Sequence, residues 1–247
     1  MIEVSIFILF CYFVLYFLSI KLKNNGIVDV FWGLGFVIIA WYTLLVDGTF
    51  DFGQILLTLI ITIWGVWLAT YVFSKIRKSK GEDFRYNNFR KLWKWFYTRS
   101  FFQVYLLQFC LMMLIASPIW VVNLYGGESI YYLIGGIIAI IGFAYEGIAN
   151  YQLYTFKSQK TNSNIITTGL YKYSRFPQYF GELLFWFGLG VMGIATSFLS
   201  MLGFFILFLL LNFVSGVPLI EKKYQDNLEY QKYKKTTRTK IIPWFPK

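Results

Sequence analysis

The chain has 247 residues, of which 57% are hydrophobic, 22% aromatic and only 14% charged, a composition far from that of water-soluble domains and suited to lipid. No histidine is present, which excludes Ser-His-Asp and Cys-His nucleophiles, His-based zinc sites and imidazole acid–base chemistry. Cys11 and Cys110 each sit in an apolar run and build neither a disulfide framework nor a metal motif, and the formal charge of +11 suits either nucleic acid or the cytoplasmic loops of a membrane protein.

Met1-Ile2-Glu3 leads straight into an apolar run without a basic region or a small-residue cleavage site, which predicts a retained first span. Stretches long enough to cross about 30 Å of hydrocarbon as helices lie near residues 4–20, 27–46, 52–74, 101–122, 130–152, 179–196 and 198–217. They predict an all-α integral membrane protein: seven transmembrane helices in a single domain, with no repeat and no linker. Segment 75–100 mixes basic residues with Phe84, Tyr86, Phe89, Trp93, Trp95, Phe96 and Tyr97, the composition of an amphipathic helix at the headgroup level or of a basic loop near anionic lipid. Thr196, Ser197 and Ser200 mark a turn between the last two spans, and residues 218–247 form a polar tail.

Charge sets the direction. Residues 21–26, 75–100, 153–178 and 218–247 hold all 23 lysines and arginines, whereas the connections on the other side hold none and carry Glu3, Asp47, Asp51 and Glu128. Basic residues stay on the cytoplasmic side, so the N-terminus is expected outside and the C-terminus in the cytoplasm. The same partition accounts for the positive charge without nucleic acid.

Ionisable groups inside spans face the bundle interior by default. Here they are Asp29, Glu146 and Glu182, joined by Gln108, Asn150, Gln152 and Asn212, each toward the cytoplasmic end of its span and with no comparable cluster in the outer half. A cavity open to the cytoplasm is expected, with Glu146 and Asn150 on one helix face at i and i+4, while Asp29 and Gln152 read equally well as end residues. Gly188-Leu189-Gly190-Val191-Met192-Gly193 fits a dinucleotide fingerprint only in letters, because it lies inside an apolar span. Small residues that let helices approach closely explain it better. Between the fifth and sixth spans, Gly169 permits a tight turn, Arg175 offers a planar donor fork for phosphate or carboxylate, and Pro177 starts a helix whose amides favour an anion. Tyr179 and Glu182 follow one turn apart. An interfacial loop with Arg175 on lipid phosphate is the plainer alternative.

Several segments share a layout: Asn150-Tyr151-Gln152-Leu153-Tyr154-Thr155-Phe156-Lys157, Thr168-Gly169-Leu170-Tyr171-Lys172-Tyr173-Ser174-Arg175-Phe176-Pro177-Gln178-Tyr179-Phe180-Gly181-Glu182, Val214-Ser215-Gly216-Val217-Pro218-Leu219-Ile220-Glu221-Lys222 and Ile242-Pro243-Trp244. With Val28-Asp29-Val30-Phe31-Trp32-Gly33-Leu34-Gly35-Phe36, Gly81-Glu82-Asp83-Phe84-Arg85-Tyr86 and Gln108, the chain closely resembles the DUF1295 family, the bacterial branch of the steroid 5-alpha reductase C-terminal superfamily. The resemblance implies a membrane-embedded reductase that takes hydride from NADPH at the cytoplasmic mouth. Its substrate class is a carbon–carbon double bond conjugated to a carbonyl in a steroid-like or isoprenoid molecule drawn from the bilayer. It further implies a cofactor-binding set of Asn150, Lys157, Tyr171, Arg175, Gln178, Tyr179, Glu182 and Asn212, with Arg175 meeting a phosphate and no metal. Glu146 and Gln108, from their depth, and Tyr179 are the catalytic candidates. A related branch holds S-adenosylmethionine on a similar motif, so methyl transfer to a lipid-like acceptor is the alternative. The chain departs from the pattern at Phe176 and Gln178, where relatives usually have His and Asn, at Asn150 for Asp and at Asn212 for Arg. Those departures keep a non-catalytic lipid-binding paralogue in view. Expected partners are a lipophilic substrate and membrane lipids, with no nucleic acid, and usage rich in Lys, Asn, Ile, Phe and Tyr points to a bacterial cytoplasmic membrane.

Overall fold

The computed structural model describes residues 1–78, 81–127, 129–159, 163 and 165–245, so Glu128 of the expected outer set lies outside the described residues. The principal helices among the described residues are α1 Ile2–Leu22, α2 Ile27–Asp47, α3 Phe52–Lys78, α4 Phe84–Leu92, α5 Phe96–Ile115, α6 Ser117–Tyr125, α7 Ile130–Ser158, α8 Pro177–Gly193, α9 Phe198–Lys223 and α10 Leu228–Thr236. No strand occurs among the described residues. Six of the helices, α1, α2, α3, α5, α7 and α9, are long and apolar enough to cross a membrane. The remaining expected span, sixth in chain order, is α8, whose 17 residues reach about 25 Å at 1.5 Å per residue.

Element boundaries correct the sequence expectation in three places. The expected span 101–122 is broken at Ala116, because Pro118 has no amide to continue the ladder and instead starts α6; α5 recovers its length by beginning at Phe96. Segment 75–100 is not one helix at the headgroup level: Lys75, Arg77 and Lys78 extend α3, and only Phe84–Leu92 forms a separate short helix. The final span bends at Ser215 and Gly216 after a π-helical turn over Leu210–Val214, and Pro218 restarts it.

Glycine sets two close helix crossings. A methyl group added to Gly33 of α2 would stand 2.5 Å from the Gly65 carbonyl oxygen of α3, and one on Gly188 of α8 would stand 2.6 Å from the Gly135 oxygen of α7. The letters that imitate a dinucleotide fingerprint therefore serve helix packing. Between these crossings lies a buried aromatic core, in which Trp64 stacks on Phe185 at 4.7 Å between centroids while Trp186 meets Phe36 edge-on at 4.7 Å. Such pairs add about 0.5–1.5 kcal/mol each beyond their burial.

The half of the bundle away from the basic segments, expected to be free of polar clusters, contains one. Buried Gln54 donates to the Asn123 carbonyl at 2.9 Å and accepts from the Thr49 amide at 2.9 Å; Asn123 in turn donates to Thr43 Oγ1 at 2.8 Å and to the Ala40 carbonyl at 3.0 Å. These side chains tie α2, α3 and α6 together by meeting backbone groups that α6 leaves open.

Asp29 proves to be a structural tie. Arg85 Nη2 donates to one of its carboxylate oxygens at 2.7 Å and Tyr86 Oη to the other at 2.8 Å. Asp83 caps α4 and holds Arg85 Nε at 3.0 Å, while Glu82 accepts from the Asn25 amide at 2.6 Å and from Arg90 Nε at 2.6 Å. Burial would raise the Asp83 carboxyl, but the Arg85 charge, the Arg85 amide and side-chain hydrogen bonds and the more distant Lys75 outweigh it and hold the group below its ordinary range. That contribution to stability is therefore complete at neutral pH and is lost only as pH falls through the lowered value. Asp29→Asn is expected to loosen α4, costing about 1–2 kcal/mol for a partly exposed charge-assisted pair. Faster amide exchange confined to residues 84–92 would show it.

Candidate functional site

The stripe Trp67, Tyr71, Lys75 and Lys78 on α3 recurs at helical spacing, as does Gly147, Asn150, Tyr154 and Lys157 on α7. The two stripes face each other across a cavity of about 750 Å³, with Thr70, Ser74, Tyr151, Leu153 and Ser158 completing the lining. Its character is graded. Trp67 and Tyr71 stack almost in parallel, 5.6 Å apart at 7°, at one end, whereas Lys75, Lys78 and Lys157 gather at the other. Lys78 donates to Tyr154 Oη and lies 4.6 Å from the centre of its ring, and Lys75 lies 3.9 Å from Asp83.

One turn deeper than Asn150, buried Glu146 accepts from Trp64 Nε1 at 3.1 Å. Glu182 on α8 and Tyr71 at the cavity wall lie near enough to couple with it electrostatically. The approach depends on Gly181, where an added methyl would stand 2.4 Å from the Glu146 amide nitrogen. Half-buried Glu182 has no hydrogen bond or ion pair among the described residues. The expected pair Glu146 and Asn150 is thus on one face, with Asn150 in the cavity lining and Glu146 behind it.

The loop before α8 closes the arrangement. Gly169 adopts φ +61°, where a side chain is strained, and a methyl there would also meet Gln152 Oε1 at 2.4 Å. That same oxygen accepts from the Leu170 amide at 2.9 Å, so Gln152 supports the turn. Tyr171 Oη donates to Gln178 Oε1 at 3.1 Å. Burial first, and then Tyr71, Tyr233 and Tyr179 nearby, push its hydroxyl well above the ordinary value, leaving Tyr171 a neutral donor at physiological pH. Phe176 stacks on Tyr179 at 5.6 Å and 17°, which fixes the Tyr179 ring beside Glu182.

Two expected site residues are engaged elsewhere. Arg175 does not offer its fork to an incoming phosphate: Nη1 donates to the Thr237 and Arg238 carbonyls at 2.8 and 2.7 Å, and Nη2 to Glu221 at 2.7 Å. It clasps the C-terminal segment, helped by the Phe176 amide on the Lys240 carbonyl at 2.9 Å and the Trp244 amide on the Tyr173 carbonyl at 2.9 Å. Asn212 lies in the π-helical turn of α9, donates to the Phe208 carbonyl at 2.9 Å and borders a different hollow from Asn150. Gln108 is also apart. It sits on α5, its Oε1 is buried without a partner, and it does not line the cavity.

Sequence reasoning missed the α3 wall altogether. Trp67, Tyr71, Lys75 and Lys78 repeat every three or four residues, but a span expected to stop at residue 74 left the two lysines to the separate amphipathic segment 75–100.

No curated protein and no solved structure matches this chain. A family model described as a protein of unknown function, DUF1295, matches residues 15–237, from the middle of α1 through α10 and across every residue of the cavity. The resemblance expected from the motifs is thereby established, and the chain belongs to the DUF1295 family.

Proposed function

We propose that this protein is a membrane-embedded, NADPH-dependent reductase of a carbon–carbon double bond conjugated to a carbonyl in a lipophilic, steroid-like or isoprenoid substrate. In this reading α8 is also a span, which makes seven, the N-terminus is outside, and the lysine-lined mouth opens to the cytoplasm of a bacterial cell. The observation that carries it is the graded cavity between α3 and α7. Its size falls within the roughly 300–1,000 Å³ typical of cofactor sites, with a stacked aromatic pair at one end and Lys75, Lys78 and Lys157 at the other.

The residues fit a dinucleotide. The three lysines would hold its phosphates as point charges, Trp67 and Tyr71 would receive a ring, and Asn150 would offer amide hydrogen bonds. Bound NADPH supplies the hydride. The chain's own part is to position the substrate, exclude water through the packed α7–α8 wall, and place Tyr179 and Glu146 to polarise a carbonyl or deliver a proton. Gln108 is dropped from that role because its part of α5 packs mainly against α1, α2, α6 and α9 rather than against the α7–α8 wall that carries Glu146 and Tyr179. The lysines also separate this reading from methyl transfer: S-adenosylmethionine carries a sulfonium cation, which a mouth of like charge repels. The engagement of Arg175 with the tail favours the non-catalytic lipid-binding alternative, which predicts no response to nucleotide.

A thermal unfolding series in detergent tests this. A ligand at one hundred times its dissociation constant adds about 2.7 kcal/mol, so NADPH should raise the midpoint clearly and S-adenosylmethionine should not. The double variant Lys75→Gln, Lys157→Gln should weaken NADPH binding at least tenfold, about 1.4 kcal/mol, with the unliganded midpoint unchanged. No shift with millimolar NADPH would sink the proposal.

A further inference from the structure

On the other side of α8 from the α3–α7 cavity, a second hollow of about 440 Å³ lies between α8, α9 and the C-terminal segment. Phe180, Leu184 and Phe187 of α8 and Phe204 and Phe208 of α9 make it apolar along its length. Phe180 to Phe187 covers about 10 Å of helix, room for a stretch of hydrocarbon chain. The polar groups at its rim are Asn212, Thr239 and Lys240. Thr239 Oγ1 is engaged with the Tyr173 carbonyl at 2.8 Å and Asn212 Nδ2 with Phe208. Exposed Lys240 is different, since it has no ion pair among the described residues. Its backbone is pinned, because Ser174 Oγ donates to its carbonyl at 2.8 Å and the Phe176 amide at 2.9 Å. An unpaired cation therefore rises from a fixed point at the rim of an apolar groove.

We propose that this groove binds one anionic phospholipid, its acyl chain between Phe187, Phe204 and Phe208 and its phosphate on Lys240. Any acyl chain covers an apolar wall. What selects a headgroup is the ammonium, which attracts a net negative lipid and gains less from a zwitterionic one, whose own cation lies beside its phosphate. A bound lipid would join α8 and α9 to the tail that Arg175 clasps. This assignment is independent of the reductase proposal, since the α3–α7 cavity shares no lining residue with the groove.

The test uses the full chain in a neutral detergent, delipidated, with phosphatidylglycerol, phosphatidylcholine or glycerophosphate added. Native mass spectrometry should show one retained phosphatidylglycerol in preference to phosphatidylcholine, and only the former should raise the unfolding midpoint by several degrees. Lys240→Gln should reduce that apparent affinity about tenfold, whereas Lys232→Gln, the same charge change on α10, should leave it intact. Leu184→Trp, which fills the groove from α8, should abolish retention. Equal stabilisation by phosphatidylcholine or by glycerophosphate, or a phosphatidylglycerol preference that survives Lys240→Gln, would overturn the proposal. If Lys240→Gln fails to fold, Lys240→Arg provides the check: it must keep the preference.

Discussion

Arg175→Met is expected to free residues 237–244 from the loop before α8 and to destabilise the protein by about 3–5 kcal/mol, the range for removing one partner of a buried ion pair. Arg175 is only 6% exposed, and its two terminal nitrogens satisfy two carbonyls and the Glu221 carboxylate. Methionine fills much of the volume but leaves those acceptors unmet, with Lys234 at 3.9 Å as the remaining cation near Glu221. Arg175→Lys keeps the charge without the planar fork and should recover only part of the loss. Limited proteolysis would report the released tail, and chemical unfolding its cost. A variant whose tail stays protected while NADPH binding alone weakens would instead return Arg175 to the phosphate role first expected of it.

Gly142→Val should prevent stable folding, at a cost of about 3 kcal/mol or more. A Cβ at this position of α7 would stand 2.3 Å from the Phe185 amide nitrogen and 2.8 Å from the Gly181 carbonyl oxygen. Both are backbone atoms of α8, so no side chain can turn aside, and the helices must separate along the seam that brings Glu146 to Glu182. The control is five residues further on the same helix. A Cβ on Gly147 meets only Trp67 Cζ2, at an ordinary 3.9 Å, so Gly147→Ala should be neutral or should gain up to about 1 kcal/mol from helix propensity. Comparing yields of monodisperse protein and unfolding midpoints for the two variants separates a tight seam from a general intolerance of substitution.

The sequence made six membrane-length helices legible because an apolar run has few alternatives in lipid, and it made the shared face of Glu146 and Asn150 legible because residues four apart lie on one side of a helix. It was less informative about where a side chain points. Asp29 and Arg175 carry the residue types of a site, yet both face other parts of the chain, and nothing local in the sequence distinguishes a donor aimed at a ligand from one aimed at a carbonyl 62 positions away. The Gln54 and Asn123 network escaped because neutral amides barely disturb an apolar run. The lysines of the cavity escaped for a related reason: long cationic stems let a helix continue past its hydrocarbon length, so α3 runs on to Lys78 where hydropathy alone would stop it.

The hydrogen bonds between the Tyr171–Phe176 loop and residues 237–244 also carry a consequence for biosynthesis. The membrane-length helices α1, α2, α3, α5 and α7 can enter the bilayer as they emerge, but the loop that positions Tyr171 and Arg175 has its partners some 60 residues downstream. At about 5–20 residues per second, the loop waits several seconds with its acceptors and donors open to water. The wall beside the cavity is therefore finished last, and a chain stalled before residue 237 would be inserted but incomplete at its candidate site.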